Sequence, residues 1–157
     1  MKTRTKTYLW SILVTLAVGG LAAFLTRNNM EVYETINKPN LAPPGFLFPI
    51  VWGVLYVLMG VSVANVIIKC RENGAYVMPC IGIYAAQLVV NFFWSIIFFN
   101  FRAFLFSFVW ILLLWVLVIL MIKCFYKISK GAAYINIPYF LWVTFAAYLN
   151  YMIYTLN

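Results

Sequence analysis

The chain has 157 residues, 66% of them apolar and 9% charged, with a formal net charge of +8 and a mean hydropathy of +0.97. A soluble domain runs nearer 45–50% apolar and about 25% charged, and a chain of this size cannot hide so much apolar surface from water. The composition excludes a soluble globular domain, a disordered tail and a secreted disulfide scaffold, and leaves an integral membrane protein.

The charges cluster and leave five uncharged stretches of 20, 30, 29, 20 and 27 residues: Thr7–Thr26, Pro39–Ile68, Asn73–Phe101, Ala103–Ile122 and Gly131–Asn157. A helix crosses the hydrocarbon core in about 20 residues, so each stretch holds one span and none holds two. These are continuous apolar runs, not strands of alternating character, which excludes a β-barrel. The expected fold is all-α: one domain over residues 1–157 with five transmembrane helices.

Helix 1 is expected over about residues 8–25. Lys2, Arg4 and Lys6 precede it as they would precede a signal peptide, but the apolar run exceeds the usual signal core of about 7–15 residues, so a retained helix is expected. Its Gly19-Gly20 and Ala22-Ala23 offer a smooth surface for close helix packing. A loop follows over about residues 27–45, ending Lys38-Pro39-Asn40-Leu41-Ala42-Pro43-Pro44-Gly45. Its prolines forbid helix and favour a stiff extended path, and a loop this long in a compact protein reads as a lid.

Helix 2 is expected over 46–68, with Pro49 in its first turn, where no backbone donor is needed. Helix 3 starts by the same logic at Pro79 and runs to about residue 99. Asn100-Phe101-Arg102 forms a tight turn into helix 4, over 104–125. Helix 5 covers 133–154, with Pro138 as either a kink or a late first-turn residue. Gly53, Gly60 and Ala64 on helix 2 form a candidate packing face, either between copies or within the bundle. No internal repeat supports an inverted-repeat transporter.

Lys and Arg counts in short loops set topology. With the N-terminus inside, eight of the eleven basic residues fall on the inner side, which predicts a cytoplasmic N-terminus and an outer C-terminus. These membrane-flanking clusters match anionic headgroups and leave no basic face for nucleic acid. Cys70, Cys80 and Cys124 all fall near cytoplasmic helix ends, where disulfides are not expected, and their spacing forms no metal motif.

There is no His and no Asp, and Glu31, Glu34 and Glu72 all lie in loops. Acid–base catalysis, metal catalysis and proton-coupled transport each need groups that the spans lack. The polar residues that remain are uncharged. Gln87, Asn91, Trp94 and Ser95 share one face of helix 3; Trp52, Tyr56 and Gly60 share one face of helix 2; Trp142, Ala146 and Asn150 share one face of helix 5. Amides in a membrane must find hydrogen-bond partners. Two readings stay open: interhelical glue, or polar contacts inside an aromatic-walled cavity. Trp10, Trp110, Tyr8, Tyr126 and Tyr154 read as interfacial or lipid-facing residues.

Four segments together resemble the TspO/MBR family of bacterial tryptophan-rich sensory proteins and mitochondrial translocator proteins. They are Lys38-Pro39 with Pro43-Pro44-Gly45, Pro49-Ile50-Val51-Trp52-Gly53-Val54-Leu55-Tyr56, Gln87 through Ser95 with Phe98-Phe99, and Pro138-Tyr139-Phe140-Leu141-Trp142 with Phe145 through Asn150. Helices 1 and 4 match only in being hydrophobic. The resemblance implies a five-helix bundle, often a homodimer, with the first loop closing a pocket. It implies binding of porphyrins (protoporphyrin IX or haem), sterols and flat synthetic ligands, with no built-in cofactor or metal, in a bacterial cell membrane. Carried over by motif, the pocket residues are Tyr33, Pro43, Trp52, Gln87, Asn91, Trp94, Trp142 and Ala146. Trp52 and Trp142 match the tryptophans tied in the family to light-dependent porphyrin breakdown, so a photo-oxidising enzyme and a porphyrin or sterol transporter stand beside the receptor reading. The basic residue of the animal cholesterol-recognition pattern is missing after Tyr148 and Tyr151.

Overall fold

The computed structural model describes residues 2–157, which form helices and connecting turns with no strand among the described residues. The long helices are α1 (Lys2–Thr26), α3 (Leu47–Asn73), α4 (Met78–Ser95), α5 (Phe104–Ile128) and α7 (Ile137–Leu156). Two short ones are α2 (Val32–Thr35) and α6 (Lys130–Ile135). Five segments are long and apolar enough to span a membrane: Thr3–Asn29, Leu47–Asn73, Met78–Asn100, Phe104–Ile128 and Lys130–Leu156. In hydrocarbon every backbone polar group must be satisfied within the chain, which is why each uncharged run becomes a helix.

The spans close into a ring. Helix α1 packs on α3, α3 on α6, α6 and α7 on α5, α5 on α4, and α4 back on α1. Met59, Ile111, Leu114, Met121, Phe125 and Tyr139 fill its centre with no exposure. The outer faces carry exposed Leu9, Leu13, Leu112, Val116 and Leu120, an apolar coat suited to lipid.

Small residues set the closest approach. A Cβ on Gly60 would lie 2.6 Å from the Ile12 Cα, and one on Gly19 would overlap the Tyr56 ring, whereas Gly20 and Gly53 meet nothing within 4 Å. Gly60 and the fully buried Ala64 are therefore enclosed within the bundle, and not a face between copies. The Tyr8 hydroxyl donates to Asn65 Oδ1 across the same α1–α3 seam.

The helix ends follow their sequence signals with three departures. Gly74 ends α3 in the left-handed region at φ 64°, and its N–H reaches Cys70 O, a conformation glycine adopts without strain. Pro79 and Pro138 sit in the first turns of α4 and α7. The first departure is that α4 continues into a π-helical turn, Ile96–Asn100, before Arg102 turns the chain at φ 52°. The second is the break between α6 and α7. Asn136 there is fully buried, and its Nδ2 donates to Ser62 Oγ at 2.5 Å and Ala132 O at 3.0 Å. Pro138 is thus a first-turn residue of a new helix.

The third departure corrects the reading of the cysteines. Cys80 and Cys124 form a disulfide, with Cα atoms 5.7 Å apart, while Cys70 is free and buried. The start of α4 and the end of α5 lie side by side, an antiparallel contact that a separation of 44 residues hides in the sequence. Cys80 is only 2% exposed and Cys124 is half-buried, so the bond is largely enclosed between α4 and α5.

Candidate ligand chamber beneath the first loop

The first loop is a folded cover. A 3-10 turn, Arg27–Asn29, leads into α2, and the proline-rich stretch that follows is non-helical, turning at Asn40-Leu41 and again at Gly45-Phe46 rather than running extended throughout. Tyr33 on α2 is buried and donates its hydroxyl to Pro43 O at 2.8 Å, tying the two limbs of the loop together. Burial, and secondarily the Glu34 carboxylate, pushes the Tyr33 phenol up to about 12. Lys38 lies 4.5 Å from the Tyr33 ring centre and pairs with Glu34 at 3.3 Å. The loop is pinned at both sides. Asn157 exchanges two hydrogen bonds of 3.0 Å with the Asn37 backbone, and Asn37 Nδ2 donates to Leu156 O. Asn29 Nδ2 donates to Asn100 Oδ1 at 2.9 Å, and Asn100 Nδ2 to Leu25 O at 3.2 Å.

Three cavities lie under this cover. One of about 80 Å3 is walled by Gly19, Ala22, Trp52, Tyr56 and Trp94. One of about 20 Å3 lies among Tyr33, Trp94, Phe98, Ala146 and Asn150. The outermost, about 310 Å3, opens between Met30, Glu31, Glu34, Gly45 and Phe46. Phe48 and Phe99 line all three. These two rings are the partitions of a single chamber, and the two inner compartments contain no charged side chain. Ligand pockets usually measure about 300–1000 Å3, so only movement of the partitions gives the inner wall access to a molecule of that size.

The wall is a continuous aromatic surface. Trp52 packs on Tyr56, Trp94 and Tyr139 with ring centres 5.7, 6.1 and 6.2 Å apart. Phe48 contacts Tyr33 at 4.9 Å and Trp142 at 5.8 Å. Behind the wall the amides are paired. Tyr56 OH donates to Asn91 Oδ1 at 3.1 Å, Asn91 Nδ2 donates to Tyr139 OH at 2.8 Å, and Tyr139 OH donates to Gln87 Oε1 at 2.7 Å. The Trp94 indole donates to Asn150 Oδ1 at 3.2 Å.

Among the residues the sequence singled out, Trp52 and Trp94 form the inner wall, and Tyr33 and Ala146 line the smallest compartment. Pro43 acts through its carbonyl, which holds Tyr33. Gln87 and Asn91 lie behind the wall in the network, buried to 0% and 1%. Trp142 stands beyond Phe48, and its Nε1 is a buried donor with no partner among the described residues. Three residues escaped that reading. Phe48 lies one turn before Trp52 on α3. Phe99 lies within the π-helical turn. Tyr139, fully buried at the hub of the network, lies two turns before Ala146 on the same face of α7.

Relatives carry the same chain nearly end to end. A tryptophan-rich protein TspO of Chlorobaculum tepidum is 39% identical over 126 residues, covering 80% of this chain and 78% of its own. A tryptophan-rich protein TspO of Archaeoglobus fulgidus is 38% identical over 149 residues and 94% of each chain. A translocator protein of Sus scrofa is 31% identical over 149 residues, covering 89% and 86%. Residues 11–156 match the TspO/MBR family across all five spans, and with the bundle and its covered aromatic chamber in place, this integral membrane protein belongs to that family.

Proposed function

We propose that this protein is a membrane receptor for porphyrins, protoporphyrin IX or haem, and for similar flat apolar molecules. The reading rests on one observation above others: the Trp52–Trp94 surface faces a chamber whose inner compartments hold no charge. A flat π-system gains from burial and offset stacking against such rings. Glu31 and Glu34 are confined to the mouth, so no carboxylate meets a flat apolar ring system in the inner compartments. Trp142 Nε1 supplies a buried donor behind Phe48, available once that ring moves.

The names of relatives speak of sensing and of translocation. Sensing needs only binding and a moving cover, both of which this chamber supports. Active transport draws on intramembrane charge, and every ionisable acid of this chain lies outside the uncharged stretches. The basic clusters favour a cytoplasmic N-terminus and a chamber mouth on the outer face of the membrane.

Titration of the purified protein with protoporphyrin IX, followed by tryptophan fluorescence, tests the reading. Saturable quenching is expected, and at least tenfold weaker binding in the Trp52→Phe, Trp142→Phe double variant. Unchanged affinity in that variant refutes the chamber as the site.

A further inference from the structure

At the opposite end of the bundle from the chamber mouth, a basic basin lies about one helical turn from an apolar groove. The basin, about 250 Å3, lies between the first turns of α1 and the last turn of α3 and is lined by Thr3, Arg4, Thr7, Ile68, Arg71 and Glu72. Arg71 donates to Thr7 Oγ1 at 3.0 Å, Arg4 pairs with Glu72, and Lys69 lies 4.0 Å from the same carboxylate. Arg4 and Lys69 thus share one acid, while Arg71 bonds to a neutral hydroxyl. A guanidinium carries five donors, and the bond to Thr7 uses one of those on Arg71.

The groove, about 320 Å3, begins one turn deeper. Trp10, Val14, Ile67, Ile81, Ala85 and Leu88 form its sides. Trp10 and Val14 continue the face of Thr7 on α1, and Ile67 lies one turn before Arg71 on α3. Its polar floor is closed on itself. Thr15 donates to Ser11 O at 2.7 Å, so at the 2.5 Å Thr15–Tyr84 contact the Tyr84 hydroxyl is the donor. Both of these protons are used within the floor, and apart from Ser11 the rest of the lining is apolar, so the groove suits hydrocarbon. From Arg4 to Thr15 the α1 axis covers about 16 Å at 1.5 Å per residue, close to one leaflet of a core roughly 30 Å thick.

We propose that this basin and groove form a binding site for one anionic phospholipid, the phosphate held by Arg71 and Arg4 and one acyl chain lying against Trp10, Val14 and Ala85. Charge complementarity selects the headgroup, since basic pockets between spans favour anionic lipids. Depth selects the chain, since the groove lies wholly within the membrane-length segments. The site is independent of the chamber and of its porphyrin reading.

The test uses the delipidated full-length protein in detergent, titrated with dioleoylphosphatidylglycerol, dioleoylphosphatidylcholine or inorganic phosphate, and read by melting temperature and by native mass spectrometry. A single retained phosphatidylglycerol and a rise in melting temperature are expected, with no rise from either of the other two. The Arg4→Gln, Arg71→Gln variant, altered only at exposed side chains, should lose at least tenfold in affinity, as should Ala85→Phe, which fills the groove from its lipid-facing side. Equal response to phosphatidylcholine, to phosphate alone, or in both variants overturns the proposal. So does an Ala85→Cys variant that crosslinks to a second copy in the presence of phosphatidylglycerol, because a protein partner then occupies the groove.

Discussion

Tyr139 on α7 donates its hydroxyl proton to Gln87 Oε1 on α4 across 2.7 Å, and both side chains are fully buried. The Tyr139 hydroxyl oxygen accepts from Asn91 Nδ2, which makes one phenol the junction between two spans. In the membrane no water replaces a lost partner. Tyr139→Phe leaves Gln87 Oε1 and Asn91 Nδ2 unpaired, and a buried unsatisfied group costs about 1–3 kcal/mol. Denaturation of the purified protein should show a loss in that range. A double-mutant cycle with Gln87→Leu should give a smaller coupling, since interhelical hydrogen bonds in membranes average about 0.6 kcal/mol. Additive single-variant effects would remove the Tyr139–Gln87 bond from the account.

Gly19 and Gly20 are adjacent in sequence and opposite in consequence. Gly19 faces the Tyr56 ring with no room for a methyl group, while Gly20 faces open space. Gly19→Ala should destabilise by about 1–3 kcal/mol, the usual cost of overpacking, and should also disturb the Tyr56–Asn91 bond. Gly20→Ala should be neutral or slightly stabilising, because alanine is the better helix former. Melting temperatures of the two variants in one detergent decide the matter, and equal effects would contradict the α1–α3 packing.

The Cys80–Cys124 bridge should matter for stability more than for binding, since it lies at the far end of α4 from Trp94. Closing a loop of this length is worth about 2–4 kcal/mol when the unfolded chain is free. Cys80→Ala with Cys124→Ala should lower the melting temperature and leave porphyrin affinity unchanged. Alkylation under denaturing conditions, without and with prior reduction, should label Cys80 and Cys124 only after reduction. Prompt labelling of both without reductant would exclude the bond.

How much was legible in the sequence depends on whether the cause is local. The five spans were readable because charge is excluded from hydrocarbon, and that exclusion marks their ends directly. Pro138 left a kink and a helix start both open, whereas the first-turn proline of α4 was readable because a proline announces a helix start within its own turn. The break at Asn136 was not, because it depends on Ser62 of α3 meeting the Asn136 amide. The disulfide depends on a contact between α4 and α5 that no periodicity reports. In the chamber, Trp52 and Trp94 stood out as large residues beside motif prolines and amides. Phe48 and Phe99 did not, because in a chain with 14 phenylalanines nothing local separates a partition ring from a lipid-facing one.

The cover should be insensitive to pH over the physiological range and open in strong alkali. Tyr33 can hold Pro43 O only while protonated. Its phenol is raised from 10 to about 12 in the folded protein. The contribution is therefore complete below the unfolded value of 10 and is lost as pH rises through the folded value. Ligand dissociation rates should be flat from pH 6 to about 9 and climb above it, and Tyr33→Phe should be fast and flat throughout. Asn157→Ala, which cuts the Asn37 clasp, should raise entry and exit rates together and leave Kd within about twofold, as expected for a change in gating alone. A changed Kd with unchanged rates would place Asn157 outside the cover.

Ala146 offers the sharpest separation between chamber and scaffold. It is 3% exposed and lines the smallest compartment with Trp94, Phe98 and Asn150. Its backbone carbonyl accepts from Asn150 Nδ2, a bond that any side chain preserves. Ala146→Leu therefore fills the compartment without removing a polar partner, at an overpacking cost of about 1–3 kcal/mol. Trp94→Phe does the converse: it keeps an aromatic wall but deprives Asn150 Oδ1 of its donor. If a ligand lies against Trp94 and reaches Ala146, Ala146→Leu should weaken protoporphyrin IX binding more than tenfold while melting stays cooperative. Trp94→Phe should cost more stability than affinity. The opposite ranking would place the ligand in the compartment between Trp52 and α1 alone, away from α7.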